Sequence, residues 1–389
     1  MTAGFDRRGL AVLASGHACA DMAQGAIPAL LPFLIDQRGI SYGAAGALIL
    51  VTSVGSSAIQ PLFGLGSDRL SLPWLMPLGV LLAGLGIALV GLTSSYPATA
   101  AAVALSGLGV ACFHPEGARF ANQVSGDRRG QGMSLFSLGG NAGFALGPAL
   151  VTPAVVLLGL PGALLLAVPG AAIALWMTLE LPRLAGFRPA PGERTRAGGG
   201  EDDWASFSRL GFVIAARTVL FFGLLTFVPL YYVDVLHRSE EAGNTALLVL
   251  MAGGAVGTLV GGRLADRVGR RPVLIATLGS ATPLVLLFLG LPAAAATPLL
   301  FVVGASVVAS FSVTVVMGQE YLPNRIGIAS GVTLGLAIGL GGLAAPLLGV
   351  LADAHGLETT LLVAGLLPLA GVAATLTLPA ERRRAASAV

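Results

Sequence analysis

The 389 residues are 55% hydrophobic and only 11% charged, with a mean hydropathy of +0.85. A soluble domain carries about 25% charged residues, so this composition excludes a large soluble domain. The net charge of +3 comes from arginine alone, scattered over short segments, which excludes a nucleic-acid-binding face.

At about 20 apolar residues per span, roughly 240 residues suffice for twelve spans. Apolar runs between polar breaks predict helices over residues 10–35, 43–66, 74–93, 97–121, 131–158, 161–181, 207–235, 243–264, 272–291, 297–320, 326–352 and 358–379. The glycines sit inside these runs, as in 79–91 and 253–262, where small residues allow close helix packing in lipid. Cys19 and Cys112 lie in apolar segments and form no disulfide framework or metal pattern.

Arg7 and Arg8 precede a short apolar run that His17 and Asp21 interrupt, which predicts a retained first helix rather than a cleaved leader. His17, Asp21 and Gln24 share one face of that helix. Asp21 lies about twelve residues in, roughly 18 Å, near the bilayer midplane. Charge at that depth is costly and marks function, so Asp21 is expected to carry a proton; the alternative is an acid held in a structural pair. Pro28 and Pro32 are expected to kink the outer end. The second connection, Gly64 to Pro73, carries Gly64, Asp68 and Arg69.

The fourth helix carries Phe113-His114-Pro115-Glu116-Gly117-Ala118-Arg119, with Glu116 and Arg119 spaced to pair on one face. Three roles fit this cluster: a proton relay through His114 and Glu116, a substrate patch including Arg119, or a static ion network closing the inner side. Asn141, in the glycine-rich run of the fifth helix, is a candidate substrate contact or a packing residue.

Residues 182–206, rich in Pro, Gly and charge, read as a cytoplasmic linker between 1–181 and 207–389. GLGSDRL at 64–70 parallels GRLADRV at 262–268, and FALGPAL at 144–150 parallels GGLAAPL at 341–347. The pairs Asp68 and Asp266, and Pro148 and Pro346, are each 198 positions apart. The chain therefore reads as a parallel duplication of six helices. Arg217, about ten residues into the seventh helix, needs a partner or an anionic substrate group. With the amino terminus inside, only Arg38 and Arg238 fall outside, as the positive-inside rule requires, and both termini are expected to be cytoplasmic.

The loop Gly262-Arg263-Leu264-Ala265-Asp266-Arg267-Val268-Gly269-Arg270-Arg271 resembles the G-x-L-A-D-R-x-G-R-R/K motif of the major facilitator superfamily. That resemblance implies an all-α integral membrane fold of twelve helices in two pseudo-symmetric six-helix bundles. Gly262, Asp266, Arg267, Arg270 and Arg271 would then form an inner latch, with Gly64, Asp68 and Arg69 as an amino-half copy that lacks the trailing basic pair; the alternative is a cytoplasmic anchor that only fixes topology. Gln319-Glu320-Tyr321-Leu322-Pro323-Asn324-Arg325, with Phe113-His114-Pro115-Glu116 and Gly16-His17, is similar to the fosmidomycin resistance protein family of bacterial exporters. The resemblance implies a drug:proton antiporter of the inner membrane, monomeric, driven by the proton gradient, with no cofactor. Its partners would be protons, lipid and a small-molecule substrate. A facilitator or importer of a small organic anion fits the same fold. An enzyme does not, because His17, His114, His237 and His355 are dispersed without ligand spacing.

Overall fold

Asp6 caps the first helix, its carboxylate accepting the Arg8 amide at 3.1 Å, and Gly39 ends it at φ 60°, a left-handed backbone that favours glycine. Between them α1 (Arg7–Arg38) runs for 32 residues, long enough to cross a bilayer. The structure is a computed structural model describing residues 5–59, 72–126, 128–186 and 201–379. All regular elements among them are helical. After α1 come α2 (Tyr42–Ser53) with a π turn (Val54–Ala58), α3 (Leu75–Val90), α4 (Tyr96–Val124) and α5 (Arg129–Leu158). A 3-10 turn (Leu160–Leu166) leads into α6 (Ala167–Leu184). Then follow α7 (Trp204–Asp234), α8 (Glu240–Val268), α9 (Arg270–Leu289), α10 (Ala293–Tyr321) and α11 (Ile326–Leu376).

Among the described residues, nine segments are long and apolar enough to cross a membrane, and Tyr42–Ser57 and Leu75–Val90 are shorter apolar helices. Among the described residues the twelve helices expected from sequence appear as eleven α-helical elements, the last of them broken at Gly356. The last two expected spans, 326–352 and 358–379, are two helical arms within Ile326–Leu376, divided at Gly356, which leaves helical geometry at φ 83° and ψ 163°. The expected second span is helical to Ser53 and continues as the π turn; its end falls outside the described residues, as do Gly64, Asp68 and Arg69.

The chain clusters into two compact units. The first comprises Met1–Arg194, Leu225–Leu248 and Ala345–Ala354. Within it α1 packs against α3, α4, α5 and α6. Its tightest seam is with α5, where a Cβ on Gly139, Gly143 or Gly147 would strike backbone atoms of Ala14, Ala18 and the Met22–Ala26 turn. Small residues at every fourth position let the two backbones touch, which is how helices gain packing energy in lipid. Arg183 bonds Asp6 at 2.5 Å and Glu180 at 2.6 Å, and Arg8 joins Glu180, fixing the start of α1 to the end of α6. In the same unit Asp353 accepts the Tyr42 and Gly43 amides at 2.8 and 2.9 Å, and the Tyr42 hydroxyl donates to Asp234 at 2.7 Å.

The second unit comprises Thr195–Leu224, Val249–Ala344 and His355–Val389. Its core joins Leu210 and Ile214 of α7, Val273 and Leu274 of α9, and Val313 and Met317 of α10. Asp202 accepts the Asn324 amide and pairs with Arg325 at 3.2 Å, and the Asp203 amide donates to the Tyr321 carbonyl at 2.7 Å. These bonds tie the approach to α7 to the Tyr321–Arg325 turn.

Candidate functional site

The spacing of four residues between His17 and Asp21 places both on one face of α1, and that face meets α4 and α5. There His17 Nε2 lies 3.2 Å from Asp21 Oδ2, and His114 Nε2 of α4 lies 3.1 Å from Asp21 Oδ1. Gln24 Nε2 donates to the same Oδ1 at 3.1 Å. The carboxylate is therefore engaged on both oxygens. The three ionisable side chains are 14%, 16% and 21% exposed, so the cluster is enclosed but reachable by water.

Aromatic rings fix the geometry. The His17 ring stacks on Phe136 with centroids 4.2 Å apart and stands edge-on to His114 at 5.0 Å. Phe113, fully buried, lies behind His17 with centroids 6.0 Å apart. Gly140 of α5 closes the remaining side: a Cβ there would lie 2.5 Å from His17 Nε2 and 2.7 Å from Asp21 Oδ2.

One bond sets the chemistry. His17 Nδ1 is 2.8 Å from the Phe136 carbonyl oxygen. A carbonyl only accepts, so Nδ1 carries a hydrogen and a neutral His17 has its lone pair on Nε2. That lone pair faces Asp21 Oδ2, also an acceptor when ionised. Two acceptors stand at hydrogen-bond distance only with a proton between them. The His17–Asp21 pair is thus built to hold one proton, while His114 and Gln24 donate to the other oxygen. The ligand atoms of His17, Asp21 and His114 all lie within 4.8 Å of one another, the spacing a metal ion would also require.

The other sequence candidates fall elsewhere. Glu116, fully buried, accepts the Leu72 amide at 2.8 Å and Arg119 Nε at 2.7 Å, so its bonds run to the connection before α3 and to its own helix. Arg119 Cζ also stands 4.8 Å from the Phe120 ring centroid. Asn141 is exposed on α5, and it is the preceding Gly140 that abuts the cluster. Arg217 lies in the second unit, 5% exposed. In the motif after α8, Asp266 and Arg267 are exposed and the whole connection is Gly269, at φ 97°. Arg270 bonds Glu320 of α10 at 2.5 Å, and Arg271 donates to the Thr375 and Leu376 carbonyls of α11. Gly262 is half-buried on α8.

Sequence reasoning named Phe113 only as part of a motif, and it missed Phe136 and Gly140. Phe136 acts through a backbone carbonyl, which no residue type announces. Gly140 acts by having no side chain, and its signal was the GGNAGFALGP run read as packing.

The family model of the Major Facilitator Superfamily matches residues 13–346. The chain is 33% identical over 385 residues to an uncharacterized MFS-type transporter, YfnC, of Bacillus subtilis (strain 168), covering 96% of this chain and 93% of that protein. It is 30% identical over 391 residues to the fosmidomycin resistance protein of Escherichia coli (strain K12), with the same coverage. Among solved structures, a bacterial homolog of the human lysosomal transporter Spinster, inward-facing and occupied, superposes with a TM-score of 0.80 at 15% identity, over 94% of this chain and 95% of that one. The nucleoside transporter NupG gives a TM-score of 0.75 at 15% identity, over 95% and 99%. At such identities the structural likeness speaks to the fold alone.

Proposed function

Because the chain belongs to the Major Facilitator Superfamily, a family of transporters rather than enzymes, we propose that it is a proton-coupled antiporter that exports a small molecule by alternating access. It is a multi-pass membrane protein. In this reading it has twelve spans in two sets of six, 1–181 and 207–389, joined by the linker 182–206. The break at Gly356, which divides the 51-residue run into two arms, supports that count. The chain works as a monomer in a bacterial inner membrane, with both termini cytoplasmic. The export of drugs draws on the 30% identity to the fosmidomycin resistance protein.

The observation that carries the reading is the shared-proton geometry of His17 and Asp21. With the proton present, the pair is bonded within α1, where Asp21 also meets His114 of α4 and His17 also meets the Phe136 carbonyl of α5. Without it, two lone pairs face each other and the contact is repulsive. Protonation therefore changes how this face of α1 bonds to α4 and α5, and transport states that differ in that packing would hold the proton with the differential affinity that coupling needs. His114 and Gln24 compensate the second oxygen in either state. Glu116 and Arg119 anchor the connection before α3, and Arg270, Arg271 and Glu320 tie α9, α10 and α11 as an inner latch, with Asp266 and Arg267 exposed beside it.

The test is transport in proteoliposomes under an imposed pH gradient, with fosmidomycin as the test substrate, backed by a susceptibility panel in a pump-deficient host. Wild type is expected to drive transport with the gradient, and Asp21→Asn to lose that dependence. Full gradient-driven transport in both Asp21→Asn and Glu116→Gln would refute a carboxylate proton carrier. The second reading, a facilitator or importer of a small organic anion, draws on the buried Arg217 and expects Asp21→Asn to leave transport untouched.

A further inference from the structure

Leu210, Ile214 and Arg217 lie on one face of α7, at positions i, i+4 and i+7. The first two enter an apolar core with Val313 and Met317 of α10. A third apolar residue would extend that seam. Instead Arg217 follows, about 20 Å along the helix and so near its middle. It is 5% exposed.

The surroundings stabilise the cation without neutralising it. The guanidinium carbon stands over the Phe311 ring, 5.2 Å from its centroid. An aromatic face attracts a cation but offers no acceptor for its N–H groups. Nη2 donates to Thr218 Oγ1 at 3.2 Å. Nε is shielded from solvent and has no acceptor among the described residues, and no described carboxylate pairs with the side chain. Arginine stays charged at any working pH. A cation held at membrane depth without a counter-charge is expensive. The donors left over lie on the planar edge of the guanidinium, a fork that matches the oxygens of a carboxylate or a phosphonate.

We propose that Arg217 is the anchor for an oxyanion and that the transported molecule is a small organic anion, with Phe311 as the positioning residue that stabilises the cation while the site is empty. The proposal rests on the reading of the chain as a transporter and names its substrate class. The phosphate of a lipid headgroup offers the same chemistry, so the test separates the two sources.

Thermal unfolding of the purified full-length protein in lipid-free detergent micelles is measured with phenylphosphonate, with benzoate, with the neutral diethyl ester of phenylphosphonate, and separately with phosphatidylglycerol. At least one of the two small anions is expected to raise the wild-type midpoint saturably, and the ester is expected to leave it unchanged. Arg217→Gln is expected to abolish the shift. Arg217→Lys is expected to weaken apparent affinity by about 10-fold, because a point charge replaces the fork. Without ligand, Arg217→Gln is expected to unfold no lower than wild type, since it removes an unpaired cation; a large drop would mean that Arg217 holds an acid of this chain, and would overturn the proposal. An equal shift in Arg217→Gln and wild type, no shift with either anion, or a shift only with phosphatidylglycerol would also overturn it. Coupling is read separately: gradient-driven transport that survives Asp21→Asn removes the antiporter reading and leaves the anion site standing.

Discussion

His17 Nε2 stands 3.2 Å from Asp21 Oδ2, one helical turn along α1, while the other ring nitrogen of His17 is committed to the Phe136 carbonyl at 2.8 Å. The two bonds together fix where a hydrogen can be. His17→Gln tests this arrangement, because the amide can still donate to Asp21 but does not titrate. The variant is expected to fold with a midpoint near that of wild type and to lose gradient-driven transport by about 10-fold or more, in line with general proton-transfer contributions. Wild-type coupling in His17→Gln would show that the ring is only a structural donor.

Gly140 and Gly143 lie three residues apart on α5 but face different atoms. A Cβ at Gly140 meets the His17 and Asp21 side chains; a Cβ at Gly143 meets the Ala18 backbone. Side chains shift more cheaply than a helix. Gly140→Ala is expected to cost about 1–3 kcal/mol, at the overpacking scale, and to abolish coupling by displacing His17. Gly143→Ala is expected to destabilise more, because two helices must separate. Thermal unfolding of both, beside transport, checks the order.

Glu116 is fully buried, with one oxygen on the Leu72 amide and the other on Arg119. Replacing the carboxylate by an amide weakens the acceptor for the Leu72 amide and for Arg119, at about 1–3 kcal/mol for buried bonds of this kind. Glu116→Gln is therefore expected to lower stability strongly, and the double variant Glu116→Gln with Arg119→Gln to recover part of it. A double-mutant cycle on the unfolding midpoint measures the coupling. Strict additivity would contradict the clamp.

Gly269 is the whole connection between α8 and α9, at φ 97° and ψ 155°. A side chain there is strained, at about 1–3 kcal/mol. Gly269→Ala is expected to lower the unfolding midpoint and to loosen the Arg270–Glu320 pair, whereas Gly290→Ala, at φ −89°, carries no such backbone strain. Equal midpoints for the two variants would contradict the strain argument.

Much of the fold was legible in the chain because lipid imposes a simple rule: long apolar runs become helices. The runs ending near Arg38, Val124 and Tyr321 appear close to where hydropathy put them. The break expected between 352 and 358 falls where the chain turns at Gly356, although the helical geometry of the two arms runs up to that residue. In the site, His17, Asp21 and Gln24 were visible through helical periodicity, a local signal. Their meeting with His114 is a contact between helices, which periodicity along one segment does not encode. The same holds for Glu116: its pairing with Arg119 was readable at three residues' spacing, and its bond to Leu72 was not.

The most direct test of the central claim follows the proton itself. Proteoliposomes loaded with a pH-sensitive dye and held at a fixed pH difference receive fosmidomycin, and the internal pH is recorded for wild type, Asp21→Asn and His17→Gln. Wild type is expected to show a substrate-triggered proton movement that both variants lose. The same proton movement in Asp21→Asn as in wild type would contradict a proton carrier at Asp21.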